Sequence, residues 1–206
     1  MILARRLVLA AAAASALVLA GCERVAPAAP PHKFNAIDLT GAEYARQFEL
    51  TDFDGRRRTL ADFKGKVTAV FFGYTQCPDA CPTTMAELAG IAKSLGPDAS
   101  RLQVVFITVD PARDTAALLK NYVTNFNPSF VALRGDDAQT KAVAKEFKVF
   151  YEKVPGKTPD SYTMDHTAGT YVFDTQGRIR LFARQNMDAA ELTDDIKALL
   201  AEKTPA

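Results

Sequence analysis

Cys77 and Cys81 are the residues of this chain best suited to chemistry. They are two of its three cysteines, and they sit with three residues between them in Gly73-Tyr74-Thr75-Gln76-Cys77-Pro78-Asp79-Ala80-Cys81-Pro82. The unbroken apolar run Val67 to Phe72 before them, rich in β-branched and aromatic residues, reads as a buried strand. The segment after them carries Met85, Leu88, Ala89, Ala92 and Leu95 on one helical face. Strand, loop and helix in that order put the pair at the carboxyl end of a strand and the amino end of a helix. Unpaired N–H groups and the helix dipole favour an anion there, so thiolates are expected. Pro82 fits poorly inside a continuous helix, so a tight turn over Pro78 to Cys81 is expected, with the regular helix starting at about Pro82.

The spacing restricts what these sulfurs can do. The pair is looser than the two-residue loop of thioredoxin-type dithiols. A reversible Cys77–Cys81 disulfide remains possible, and both sulfurs can also face one metal ion. A purely structural bridge is the bland alternative, but closing so short a loop stabilises little. Structural zinc needs four ligands, and there is no second cysteine pair.

The elements that must position the pair can be read on either side of it. Phe48 to Leu50 and Arg58 to Leu60, with Asp54-Gly55 between them, form a hairpin before the core. Gln103 to Val109 is a second buried strand ended by Asp110-Pro111, which implies a parallel pair with a crossover helix. Helices are expected over Asp114 to Phe126 and Asp136 to Phe147, with a short strand over Phe130 to Leu133. Lys148 to Asp165 loosens into a long loop or irregular hairpin. Thr170 to Phe173 and Ile179 to Phe182 form a hairpin at the sheet edge. A last helix opens at Asp188, with Glu191 completing a capping box. This order is that of an α/β, thioredoxin-like fold: a central mixed β-sheet flanked by helices, with an N-terminal hairpin and an insertion before the His166 strand.

Thioredoxins keep a cis-proline facing the dithiol at the entrance to the strand that here begins near Thr170. This chain carries Met164-Asp165-His166-Thr167 instead. In that topology His166 faces the cysteine loop, so two thiolates and one imidazole converge, a set that suits copper as Cu(I) or Cu(II). Asp165 is placed to orient the imidazole or contribute an oxygen. Met164 and Met187 read as packing residues. His32, the other of the chain's two histidines, falls in a Pro/Ala-rich stretch and reads as solvated.

The ends and the charge bound the rest. Residues 1–21 read as a lipoprotein signal peptide: Arg5-Arg6, an apolar run from Leu7 to Ala20 too short for a comfortable transmembrane span, then Gly21. Leu19-Ala20-Gly21-Cys22 resembles the bacterial lipobox, which makes Cys22 the lipidated residue. Residues 22–40 are expected to be anchor and tether, and residues 41–206 the folded domain. The chain is then tethered to a membrane in the bacterial cell envelope, facing the periplasm or exterior. With a formal charge of +1 over 206 residues there is no basic stripe for nucleic acid.

GYTQCPDACPTTM, ITVDPARDT, DHT before a strand, and YVFDTQGRI together resemble the SCO/SenC family of membrane-tethered copper proteins, from about Phe48 to the C-terminus. The resemblance implies that Cys77, Cys81 and His166 hold copper, and that the protein serves assembly of the dinuclear copper centre of cytochrome c oxidase. It implies the copper-binding oxidase subunit as partner, with a periplasmic copper donor. Gln76 stands where many members have histidine, which leaves the ligand set intact. Two activities stay open. One is a metallochaperone, a binding protein rather than an enzyme. The other is a thiol-disulfide oxidoreductase acting on the acceptor's cysteines, with Cys77 and Cys81 as the redox pair. A peroxiredoxin-like peroxidase fits less well, because Tyr74 stands where its threonine is expected.

Overall fold

The computed structural model describes residues 32–158 and 161–202. The expected signal peptide, Cys22 and the tether up to residue 31 lie outside them. From the N-terminal side the elements are β1 (Ile37–Asp38), β2 (Glu49–Asp52), β3 (Arg57–Thr59), β4 (Val67–Gly73), α1 (Ala80–Ser94), β5 (Leu102–Thr108), α2 (Ala116–Phe126) and β6 (Val131–Arg134). They continue with α3 (Asp137–Glu146), β7 (Tyr151–Pro155), β8 (Tyr162–His166), β9 (Gly169–Phe173), β10 (Ile179–Arg184) and α4 (Ala189–Ala201).

Eight strands form one sheet in the order β1-β10-β9-β4-β5-β6-β2-β3. β4 runs parallel to β5, and β5 to β6, while β9 lies antiparallel against β4. Every residue of β4 and of β5 is buried. A strand with no solvated face needs cover on both sides, and the helices supply it: α1 packs against α4 and α2, α2 against β6, and α3 against β2. This is the thioredoxin-like mixed sheet flanked by helices that the element order implies. Among the described residues no helix is long and apolar enough to cross a membrane.

Four differences from the sequence reading have local causes. The β9–β10 hairpin is not the sheet edge, because β1 pairs outside β10 through Ile37↔Phe182 and Asp38↔Leu181. Two residues carry no periodicity to read. They are fixed instead by the buried Asp195 of α4, whose carboxylate accepts the Asn35 N–H at 3.0 Å and the Ala36 N–H at 2.8 Å. The folded body therefore reaches back into the stretch read as tether. The start of α1 also moves, to Ala80, which makes Pro82 its third residue. A first-turn N–H has no intrahelical partner, so a proline there costs no bond and does not mark the helix start.

At the other end of the chain, Asp188 caps α4 by accepting the Ala190 N–H at 2.7 Å. That is one residue earlier than a capping box with Glu191 requires. The stretch 148–165 contains a regular hairpin, β7 with β8, in a sheet of its own. Its side chains are mostly exposed or half-buried, with Met164 the buried exception. A hairpin with no buried face lacks the alternation by which strands are recognised.

Candidate metal centre

β4 delivers the chain to the cysteine loop, and its last residue must be glycine for a steric reason. A Cβ on Gly73 would stand 2.8 Å from Cys81 Sγ and 2.9 Å from Phe106 Cε2. Cys81 is wholly buried in the first turn of α1 against these groups, whereas Cys77 is half-buried. The Asp79 side chain does not cap the helix. The Cys77 sulfur takes part of that role, accepting the Cys81 N–H at 3.4 Å. The expectation that the helix N-terminus makes both sulfurs thiolates fails at Cys81. Burial pushes its thiol far above the usual cysteine range, and the neighbouring Cys77 adds to the rise. Loss of water outweighs the dipole at a site this enclosed.

His166 ends β8, in register with Tyr151 on β7. Its ring sits edge-on to Phe71 at 6.1 Å and to Tyr74 at 6.0 Å between centroids. Nδ1 lies 3.1 Å from the Thr167 carbonyl oxygen. A carbonyl only accepts, so Nδ1 carries the proton and donates. Nε2 is left with its lone pair, and it stands 3.5 Å from Cys81 Sγ. Burial lowers the His166 pKa, against the opposing pull of the Thr167 bond and the Asp165 charge, which keeps the ring neutral near pH 7. A neutral imidazole with one nitrogen fixed by a carbonyl is the form that binds a metal.

That arrangement corrects the expectation for Asp165. The imidazole is oriented by the backbone of Thr167, while the Asp165 side chain is exposed and acts on the ring only through its charge. Side chains alternate across a strand, so neighbours on β8 point to opposite faces. Met164 and Met187 pack against the core as expected. His32 is exposed.

Sequence reasoning missed the group that holds the cysteine loop from below. Asp114 is fully buried beyond the end of β5. Its carboxylate accepts the Thr75 N–H at 3.1 Å, and the hydroxyls of Thr75 and Thr108. Burial raises the Asp114 pKa against these bonds. The last residue of β5 and the loop before Cys77 are thereby tied to one side chain. The signal was present in Ile107-Thr108-Val109-Asp110-Pro111-Ala112-Arg113-Asp114-Thr115, where acids follow a wholly buried strand, but nothing in the spacing shows which side chains Asp114 meets.

Cys77, Cys81 and His166 offer three donor atoms that all lie within 4.8 Å of one another. A model of the family described as SCO1/SenC matches residues 38–201. The chain belongs to the SCO1/SenC family. Among curated relatives of this SCO1/SenC chain, a SCO2-like protein of Rickettsia felis is 40% identical over 132 residues, covering 64% of each chain. This chain thus spans less than two thirds of that relative's length. Among solved structures, copper-bound ScoI of Bradyrhizobium japonicum is 42% identical with a TM-score of 0.69, covering 75% of this chain and 98% of that one. Apo Sco1 of Thermus thermophilus is 34% identical with a TM-score of 0.73, covering 84% and 100%.

Proposed function

We propose that this SCO1/SenC protein binds copper through Cys77, Cys81 and His166, and delivers it to the copper-binding subunit of cytochrome c oxidase during assembly of the dinuclear centre. The carrying observation is the forced tautomer. The Thr167 carbonyl occupies Nδ1, so the Nε2 lone pair is aimed at the two sulfurs. Two sulfurs and one imidazole satisfy Cu(I) in three-coordination, and with further ligands Cu(II). With metal–donor bonds of about 2.3 Å, three-coordination wants donors about 4 Å apart; the donors here lie within 4.8 Å of one another and Nε2 is 3.5 Å from Cys81 Sγ, so only small shifts separate this arrangement from that one. The copper-bound ScoI relative supports the choice of metal. Copper is cargo here, received from a periplasmic donor and passed on.

In this reading the protein works in the cell envelope, lipid-anchored at Cys22 after removal of residues 1–21. The tether then runs from Cys22 to about Phe34, where the bonds to Asp195 begin the folded domain. A chain docked at a membrane-bound acceptor needs reach more than affinity for lipid, and a Pro/Ala-rich tether supplies it.

A second reading is favoured by the asymmetry of the sulfurs. A half-buried Cys77 beside a buried Cys81 is the arrangement of an attacking and a resolving thiol. In that reading Cys77 thiolate attacks the acceptor's disulfide and one acceptor sulfur leaves as thiol. Cys81 then displaces the second, leaving a Cys77–Cys81 disulfide and a reduced acceptor. One experiment separates the readings. His166→Ala, titrated with Cu(I) and Cu(II) in the reduced state, is expected to lose most Cu(II) affinity while keeping its fold and its ability to reduce a small disulfide. Cu(II) binding by His166→Ala as tight as the parent's rules out the ligand assignment. Oxidase assembly that survives His166→Ala and fails only on loss of the dithiol favours the reductase.

A further inference from the structure

We infer that Arg113 is the positioning residue of the histidine arm: it grips Tyr162 and so holds β8 where His166 meets the two sulfurs. This rests on the copper reading for its purpose and on geometry alone for its existence. The β7–β8 hairpin belongs to neither edge of the main sheet, and a lone two-stranded hairpin is marginal in water. Something in the body must therefore fix its angle.

The turn Asp110-Pro111-Ala112-Arg113-Asp114 does so. Arg113 Nη1 donates to the Tyr162 carbonyl oxygen at 2.9 Å, and its guanidinium lies 3.5 Å from the centre of the Tyr162 ring. The Tyr162 hydroxyl donates to Asp110 Oδ1 at 2.9 Å, and Arg113 Nε donates to the same carboxylate. Tyr162 is thus held by its backbone, its ring face and its hydroxyl, four residues before His166 on one strand. The same Nη1 also donates to Gln76 Oε1 at 3.2 Å, in the loop just before Cys77.

Arg113 therefore bridges both halves of the donor set, while the adjacent Asp114 secures the cysteine loop independently through Thr75 and Thr108. Only a planar, forked cation can stack on a ring and donate in its own plane at once. Lysine in its place keeps the charge next to Asp110 and loses both the stack and the fork. The division of labour follows: the cysteine loop is held chiefly by buried packing and Asp114, and the histidine strand by the half-buried Arg113–Asp110–Tyr162 cluster.

The test compares Arg113→Gln, Arg113→Lys and Tyr162→Phe with the parent, as reduced, copper-free mature chains, by amide hydrogen exchange. Arg113→Gln is expected to raise exchange in β8 by about tenfold or more, the scale of a lost charged hydrogen bond, with the amides of α1 unchanged. Arg113→Lys should recover only part of the protection. Tyr162→Phe, which keeps ring and carbonyl, should give a smaller rise confined to the same strand. After Cu(II) loading, the imidazole nitrogen coupling in the electron paramagnetic resonance spectrum should weaken in Arg113→Gln, in proportion to the β8 exchange.

Unchanged β8 exchange in Arg113→Gln, or an equal rise in β8 and α1, overturns the inference. If Arg113→Gln does not fold, Tyr162→Phe decides in the same way, a β8-confined rise supporting the inference and an absent or global one refuting it. If the parent binds no copper, the proposed function falls while the exchange result still decides the role of Arg113.

Discussion

Gly73→Ala is the sharpest test of how the buried sulfur is seated. The added methyl would stand 2.8 Å from Cys81 Sγ, 2.9 Å from Phe106 Cε2 and 3.0 Å from Phe71 Cε1, where comfortable carbon contacts lie at about 3.5–4.0 Å. Three neighbours must each give by roughly 0.5–1 Å, and all three are wholly buried. The two rings also pack against each other, at 6.2 Å between centroids. The backbone of Gly73 is not left-handed, so the cost is overpacking rather than strain in φ. Such insertions cost about 1–3 kcal/mol, which for a domain of this size lowers Tm by about 2–10 °C. The freest of the three neighbours is the thiol, so the substitution should also push Cys81 Sγ off its place and weaken copper binding by about tenfold or more. Thermal unfolding of the reduced, copper-free protein and competition titration with a Cu(I) chelator read the two effects separately. Shrinking Phe106 to Leu in the same chain should recover part of both, since the two sites touch. A Gly73→Ala protein that melts with the parent and binds copper equally well would show that the sulfur is not packed against β4 as described.

Three further outcomes follow from the site and from the N-terminal end of the chain. Burial raises the Cys81 pKa, so the thiol keeps its proton at neutral pH and copper must displace it. Apparent Cu(I) affinity should therefore climb by about tenfold per pH unit from this residue alone across the neutral range, and a flat pH profile would refute it. For the copper-free protein the same shift has the opposite sign. The raised pKa contributes stability that is complete below the unfolded thiol's pKa of about 8.5. That stability is lost as pH rises further, by about 1.4 kcal/mol per unit, and Cys81→Ser should remove the alkaline loss. At the other end, Cys22→Ser should shift the full-length protein from the membrane to the soluble exported fraction, and tight membrane retention of that variant would point to an anchor helix instead.

How much of this was legible in the sequence depends on what each residue packs against. β4, β5 and the helices that cover them declared themselves because full burial selects unbroken apolar runs and helical stripes. The cysteine pair was legible because its spacing and its place between strand and helix are local facts. His166 was reached through topology, since only the thioredoxin-like order brings the stretch before β9 over the cysteine loop. β7 and β8 were not, because exposed strands obey no pattern of burial. The protonation of Cys81 differs for a related reason: the helix N-terminus is visible in sequence, whereas the burial that keeps the sulfur from water comes from how the elements pack. Asp165 was a local guess at a partner that the backbone of Thr167 supplied, and a carbonyl leaves no mark in the residue types.

The two kinds of support in the site have different stiffness, and that difference bears on delivery. Cys81 is wholly buried, with its sulfur against Gly73 at the end of β4, and the loop before Cys77 is tied by Asp114 to the end of β5. Those contacts break only with the fold. His166 stands on a hairpin outside the main sheet, joined to the body by the buried Met164, by the packing of its own ring on Phe71 and Tyr74, and by the contacts of Tyr162 with Asp110 and Arg113. A carrier that held all three donors equally rigidly would bind its ion well and release it slowly, because an acceptor's ligand can enter only where one of the carrier's leaves. With the imidazole on the softer arm, that place is fixed in advance. On the proposed function, the incoming ligand is expected to replace Nε2 first, while the two sulfurs still hold the ion.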